Sequence, residues 1–485
     1  MKYLQWFWMS AATLLALYIF AIKVVRNLND WYYDFKMRNK EYPLPPGDMG
    51  WPFIGNLWPF YKYFSSNNPD TFINNIVHKY GRTGIYKTHL YGSPSIIVTG
   101  HLIANKVLRD DVNFKVGYPK ATLKLVETKH LLNEHRHFKR LITAPMAGYN
   151  ALERYLELIE DIVINKLEEL SSMKHPVEFL KETRKVTFKI LFHIFMGSCD
   201  QHIVDKFEDL FDVMSIGVFS LMPINAPFFP FNKAIKARKK LVKIIQSIID
   251  ERKMMIQNGQ KKDILDILLE INDKKGENLE DGDIIDLLIT LLFTGHETTA
   301  IAVMWSITYL TKNPLCLKKA REEQEKIMKA RASSQKRLSI KEIKKMVYLS
   351  QVIDETLRHA NMFSAFREAT TDLNINGFFI PKGWKVLVWL RAIHMDHEYH
   401  SNPKEFNPAR WNDYNSATGT FMPFGMGPWL CPGSDLARYE ITIFLHYFLL
   451  NYKLEQINLE CPLTNLPSPK PVDNCLAKII KLSTS

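Results

Sequence analysis

Phe424-Gly425-Met426-Gly427-Pro428-Trp429-Leu430-Cys431-Pro432-Gly433 is the stretch that decides how this chain is read. Glycines and prolines pin the backbone around Cys431, just before a helix-like segment from Ser434 to Tyr452. A cysteine fixed at such a place presents its sulfur to one face of a flat cofactor. A helix N-terminus and nearby cations favour thiolate over thiol. The other four cysteines, Cys199, Cys316, Cys461 and Cys475, lack CxxC spacing, so neither a zinc site nor a disulfide framework is indicated.

If that cofactor is a haem, the thiolate pushes electron density toward bound oxygen and helps split the O–O bond. The opposite side then needs space, an apolar wall and a proton supply. The segment Asp283 to Lys312 offers these. It is apolar almost all round, acidic at its start (Glu280, Asp281, Asp283), and stopped by Asn313-Pro314. Gly295-His296-Glu297-Thr298-Thr299 lies in its middle, and ionisable groups there argue for a buried helix and against a membrane span. Gly295 leaves room, Thr298 brings a hydroxyl, and Glu297 brings a carboxylate for relaying protons. Upstream of the cysteine, Glu355 and Arg358 share a helix face in Tyr348 to His359, after the capping box Ser339-Ile340-Lys341-Glu342. Arg410, in Phe406-Asn407-Pro408-Ala409-Arg410-Trp411, is a candidate third member of that pair.

Helical periodicity dominates from Leu152 to Ala360. Strand-like runs are few. Ile85–Tyr91 and Ser95–Thr99 flank a turn at Gly92-Ser93-Pro94, and Leu373–Ile380 carries the turn pair Asn376-Gly377. Trp384–Trp389 follows another turn. The expected fold is mainly α (α+β): a large helical body with a long central helix and a small β-sheet region. The chain has 485 residues, 46% of them hydrophobic, and no linker after residue 50, which suits one large catalytic unit.

Tyr3 to Ile22 carries no charge. At ~1.5 Å per residue its twenty residues cross a bilayer core of roughly 30 Å. Cations follow the span (Lys23, Arg26, Lys36, Arg38, Lys40), which places the bulk of the chain in the cytosol. Residues 1–26 read as an uncleaved anchor, 27–50 as a linker ending in the proline elbow Pro43-Leu44-Pro45-Pro46, and 51–485 as the catalytic domain. The net charge of +12 suits an anionic membrane surface or an acidic protein partner equally. No basic motif with interleaved aromatics points to nucleic acid.

Taken together, these motifs resemble the cytochrome P-450 superfamily of haem-thiolate monooxygenases. The resemblance covers nearly the whole chain, from Leu44–Asn56 through the central helix to the cysteine loop. Leu44-Pro45-Pro46-Gly47-Asp48-Met49-Gly50-Trp51-Pro52, Tyr80-Gly81-Arg82-Thr83-Gly84 and Phe366-Arg367-Glu368-Ala369-Thr370 resemble a plant branch, that of the ent-kaurenoic acid oxidases and the legume β-amyrin 11-oxidases. The resemblance implies haem b, a membrane-bound NADPH–cytochrome P-450 reductase, an apolar polycyclic terpenoid substrate, and single-pass residence in the endoplasmic reticulum membrane. It makes Cys431 the axial ligand, with Phe424, Gly427 and Gly433 shaping its loop. It gives Glu297 and Thr298 to proton delivery, Gly295 to the oxygen side, and Arg367 and Lys139 to the haem propionates. Glu355, Arg358 and Arg410 become a structural network.

The chain also departs from that pattern. Trp429 stands where the family has a propionate-binding arginine, His135 and Lys139 replace a Trp and an Arg, and Thr294 precedes the helix glycine. Loss of one charge-assisted bond weakens retention by roughly 1.5–3 kcal/mol, so a weakly active haem- or terpenoid-binding paralogue is the alternative. Apolar residues from Val213 to Phe231, among them Phe219, Met222, Phe228, Phe229 and Phe231, line either a membrane-facing entrance or ordinary core. Arg136, Lys139, Arg140 and Arg438 are expected to meet an acidic reductase face. Replacing Cys431 by Ser should abolish the thiolate signature in the spectrum of the reduced, carbon-monoxide-bound protein; an unchanged spectrum would remove Cys431 as ligand.

Overall fold

The structure, a computed structural model, describes residues 2–66, 68–126, 135–218, 220, 223–255, 263–270, 279–332, 335, 337–360, 364–466 and 468–482. The chain folds as two compact units, Met1–Gly117 with Ser364–Ile393, and Tyr118–Phe363 with His394–Ser485.

In the first unit a five-stranded sheet is ordered Ile85–Leu90, Ser93–Val98, Lys385–Val388, Ala365–Ala369, Phe114–Val116. The first hairpin turns at Tyr91 and Gly92, one position earlier than the sequence suggests, and Pro94 lies inside its strand opposite His89. Both turn residues have positive φ (52° and 69°), the mirror-image turn that matches strand twist. Asn376-Gly377 turns the same way, at 51° and 83°. The N-terminal helix runs from Lys2 to Met37, well past residue 26. Its early residues, Trp6 to Phe20, are broadly exposed apolar side chains. Its later turns clasp the proline elbow: Arg26 pairs with Asp48 at 3.0 Å, and Asn29 donates to the Trp51 carbonyl at 2.7 Å.

The second unit is built on the helix Asp281–Lys312. Nineteen of its side chains are buried, because helices Phe179–Met196, Val347–His359 and Ser434–Asn451 all pack against it. That surrounds it with protein and explains why it is apolar on every face. A small antiparallel sheet, ordered Val177–Glu178, Leu476–Lys481, Tyr452–Gln456, completes this unit with the hairpin Leu463–Thr464/Lys470–Pro471. The expected mainly α architecture with small sheets is the one observed. The Ser339–Glu342 capping box is formed, but it caps its own short helix, Ile340–Ile343. The next helix, Val347–His359, is capped by Glu323, whose carboxylate accepts from the backbone N–H groups of Tyr348 (2.7 Å) and Leu349 (2.9 Å).

The expected Glu355 cluster is complete and buried. Arg358 donates both Nε and Nη2 to the Glu355 carboxylate, at 3.0 and 2.9 Å. Arg410 Nε (2.9 Å), the Asn407 backbone N–H (3.0 Å) and Trp411 Nε1 (3.1 Å) also donate to it. Burial alone would raise the Glu355 pKa. Bonds from His359 and Arg358 outweigh it and hold the group far below the usual carboxylate range. Arg358 also donates to the His394 carbonyl at 2.9 Å, and His394 Nε2 accepts from the Met422 backbone N–H at 3.1 Å. The network therefore reaches to within two residues of the cysteine loop. Arg358→Leu, which leaves Glu355 buried beside fewer donors, should cost about 3–5 kcal/mol of stability and should lower haem content; chemical denaturation and the haem-to-protein ratio report the two effects.

Candidate haem-thiolate site

The cysteine loop is built by backbone bonds. The Cys431 N–H donates to the Phe424 carbonyl at 2.8 Å, and Leu430 N–H to Gly427 at 3.0 Å, closing a single 3-10 turn over Gly427–Trp429. Gly425 and Gly427 sit at φ +78° and +65°, where a side chain would be strained. Gly433 stands at the N-cap of the helix Ser434–Asn451, and its N–H is directed at the Cys431 sulfur.

Cys431 is exposed by surface area, yet enclosing protein pushes its thiol pKa up. The two observations agree if the sulfur faces a walled hollow and not convex surface. The Gly433 N–H and the Lys139 charge pull the other way without winning. The helix N-terminus and a nearby cation do favour the thiolate, as expected, and enclosure by protein acts against them more strongly.

Lys139 is half-buried and donates Nζ to the Pro428 carbonyl at 2.8 Å. Its charge therefore serves the cysteine loop directly, next to Trp429, where the family arginine is missing. The side chains of His135, Arg136 and Arg140 lie outside the described residues, as do Phe219 and Met222. Arg438 does not stand as a free docking cation: it pairs with Asp354 at 2.5 Å and lies 5.2 Å from the centre of the Phe424 ring. Within the first unit, Arg367 is buried on the strand Ala365–Ala369, with Nη1 donating to the Phe366 carbonyl at 2.9 Å.

On the long helix, Thr294 and Thr298 are exposed although the helix to either side is buried. One turn apart, they mark a stretch that protein atoms do not cover. Each hydroxyl donates back along the helix, Thr298 to the Thr294 carbonyl and Thr294 to the Thr290 carbonyl, both at 2.9 Å. Their oxygen lone pairs remain available. Gly295 turns elsewhere: a Cβ there would meet Leu191 Cδ1 at 2.7 Å, so its missing side chain lets the helix Phe179–Met196 approach. The space expected beside this glycine is filled by that leucine.

Glu297 is clamped. Arg184 reaches Oε2 at 2.5 Å and Oε1 at 2.8 Å, and Lys470 reaches Oε1 at 3.1 Å. Desolvation raises the Glu297 pKa, but Lys470 and Arg184 together overcome it and keep the group below its ordinary value. Neither cation was legible in the sequence, since Arg184 is 113 residues away and Lys470 is 173. His296, facing Phe188 and Phe211, is a neutral core residue: burial lowers its pKa, and its Nδ1 lies 3.0 Å from the Leu292 carbonyl.

These residues fit a haem. One sulfur at a helix N-terminus is a haem-thiolate donor, and among the described residues no group of three His, Cys, Asp or Glu could hold another metal.

The cytochrome P450 family model matches residues 45–477. The chain is 63% identical to the beta-amyrin 11-oxidase of Glycyrrhiza uralensis, over 99% of both proteins. It is 48% identical to a 7,8-epoxymelianol synthase of Ailanthus altissima, over 98% of this chain and 97% of that protein. Ent-kaurenoic acid oxidase 2 of Arabidopsis thaliana is 45% identical, over 99% and 98%. The retinoic-acid-bound cyanobacterial CYP120A1 structure superposes with a TM-score of 0.79 at 30% identity, covering 91% of this chain and 100% of that one.

Because Glu297 is held ionised, Arg184→Met should destabilise the fold by roughly 1.5–3 kcal/mol at neutral pH. A depressed folded pKa contributes stability above the ordinary carboxylate value, and that contribution vanishes as pH falls through the folded value. The gap between wild type and variant should therefore close in acid, as thermal unfolding across pH will show.

Proposed function

Since the chain belongs to the cytochrome P450 family, we propose that it is a membrane-anchored monooxygenase that oxidises a pentacyclic triterpene of the β-amyrin type. Monooxygenase chemistry and a haem cofactor come with the membership. The triterpene class rests on one observation, the 63% identity across the full length of a beta-amyrin 11-oxidase. The diterpenoid-acid oxidases are more distant, at 45%.

A bound haem would supply the redox chemistry by which dioxygen oxidises a substrate C–H bond. In this reading Cys431 Sγ is the ligand. The Gly433 N–H and the Lys139 ammonium stabilise negative charge on that sulfur, while Phe424, Gly427 and Gly433 set the loop that carries it. Trp429 gives no charge, and Lys139 contributes one to the same loop through the Pro428 carbonyl. Arg367 keeps the propionate-binding role that the family resemblance assigns. On the oxygen side, Glu297 Oε1 and Oε2 hold or release a proton as Arg184 and Lys470 loosen or tighten. Thr298 Oγ1, already donating to Thr294, accepts from a proton-bearing water.

Redox partnership of the family kind requires electrons from a reductase, here NADPH–cytochrome P-450 reductase. The exposed apolar stretch at the start of the Lys2–Met37 helix and the cations after it support anchoring in the endoplasmic reticulum membrane with the catalytic part cytosolic. The order of anchor, elbow and catalytic part is kept as part of this proposal, with the helix Lys2–Met37 running through the expected boundary at residue 26 and the catalytic part dividing into two compact units.

Microsomes carrying this protein and a plant reductase should convert β-amyrin to an oxygenated product only with NADPH and air. The Cys431→Ser variant should yield none. A protein with an intact carbon-monoxide spectrum that leaves β-amyrin unchanged while oxidising ent-kaurenoic acid would overturn the triterpene assignment.

A further inference from the structure

The helix Val347–His359 sends two neighbouring carboxylates toward the cysteine loop by separate routes. Glu355 acts through Arg358 and His394 on the backbone at Met422. Asp354, about 100° round the same helix, takes the other route. It pairs with Arg438 Nη2 at 2.5 Å. Arg438 stands on the helix Ser434–Asn451, two turns beyond Cys431. Its guanidinium carbon lies over the Phe424 ring, 5.2 Å from the ring centre. Phe424 in turn is the residue whose carbonyl accepts the Cys431 N–H at 2.8 Å. Asp354, Arg438, Phe424 and Cys431 are joined link by link, and each link is a direct contact.

The ion pair is partly sealed from water, its side chains being 32% and 21% exposed. Desolvation raises the Asp354 pKa, Arg438 opposes that rise, and the Glu355 charge adds to it. Asp354 therefore needs its cation, and the pairing fixes the guanidinium in one orientation. A guanidinium over an aromatic face is attracted by the negative centre of the ring. The planar fork of arginine makes both contacts at once, which the point charge of lysine does not. Gly425 and Gly427 leave the loop few side chains to pack. What holds the Phe424 ring thus also holds the carbonyl that fixes the Cys431 N–H.

We propose that Arg438, held by Asp354, is a positioning residue for the sulfur ligand: it seats the Phe424 ring, and through the Phe424 carbonyl it sets where Cys431 presents its sulfur. The inference rests on the reading of Cys431 as the haem ligand. It gives Arg438 a task inside the protein in place of the reductase docking expected of it.

The full-length, haem-loaded protein is compared with its variants in three measurements. Transfer of haem to excess apomyoglobin gives the release rate, a spectroelectrochemical titration gives the reduction potential, and the reductase KM at low and high salt reads docking. Arg438→Met should release haem roughly tenfold faster. Its ferric-to-ferrous ratio at a fixed potential should rise about tenfold, a shift of about 59 mV for a one-electron couple, because an unpaired Asp354 charge disfavours the more negative reduced state. The double variant Asp354→Asn/Arg438→Met strands no carboxylate and should still release haem fast. In a Phe424→Leu background Arg438→Met should add little to the release rate, since the ring through which the arginine acts is gone. Wild-type release and potential in Arg438→Met, or an equal effect of that change with and without the Phe424 ring, would overturn the proposal. So would a salt-dependent rise in reductase KM with haem release unchanged, which would return Arg438 to docking. Wild-type protein that takes up no haem would sink the haem-thiolate reading and this inference with it, whereas haem-loaded wild type matched by its variants sinks this inference alone.

Discussion

A carboxylate sealed from water is tolerated only when its oxygens are fully engaged, and Glu355 meets that demand with partners from five positions of the chain, Arg358, His359, Asn407, Arg410 and Trp411. Arg358 lies on the same helix, and Asn407, Arg410 and Trp411 arrive from the segment that leads to the cysteine loop. The carboxylate thereby selects one path for that segment. Alternative paths would strand a buried charge, so the network trades local cost for a single loop position. Through His394 and Met422 the same constraint is passed to Phe424, whose carbonyl receives the Cys431 N–H.

Two proposed site residues are tuned by opposite balances. At Cys431 enclosure by protein raises the thiol pKa against the pull of the Gly433 N–H and Lys139. At Glu297 two cations win, so the carboxylate stays charged despite burial. A carboxylate gripped by two movable side chains has a reason to change its affinity for protons when either lets go.

Much of this was legible because the motifs are local. The turn pair Asn376-Gly377, the end of the long helix at Asn313-Pro314, and the Glu355/Arg358 pairing on one helix face depend on spacings of a few residues. Three of the misreadings share one cause, a partner brought from far away. Gly295 reads as an opening until Leu191 is seen to fill it. The Ser339 capping box reads as the start of Val347–His359 until Glu323 is seen to cap that helix. Arg438 reads as a surface cation until Asp354 and Phe424 are seen to hold it.

By itself the sequence determined the family, the long buried helix and the order of the motifs, since backbone constraint and helical spacing are written in neighbouring residues. Tertiary structure alone decided the balance of charge: which cations grip Glu297, what Lys139 touches in place of the absent arginine, and which carboxylate holds Arg438. Electrostatic energy depends on distance and burial, and neither quantity exists until distant segments have packed.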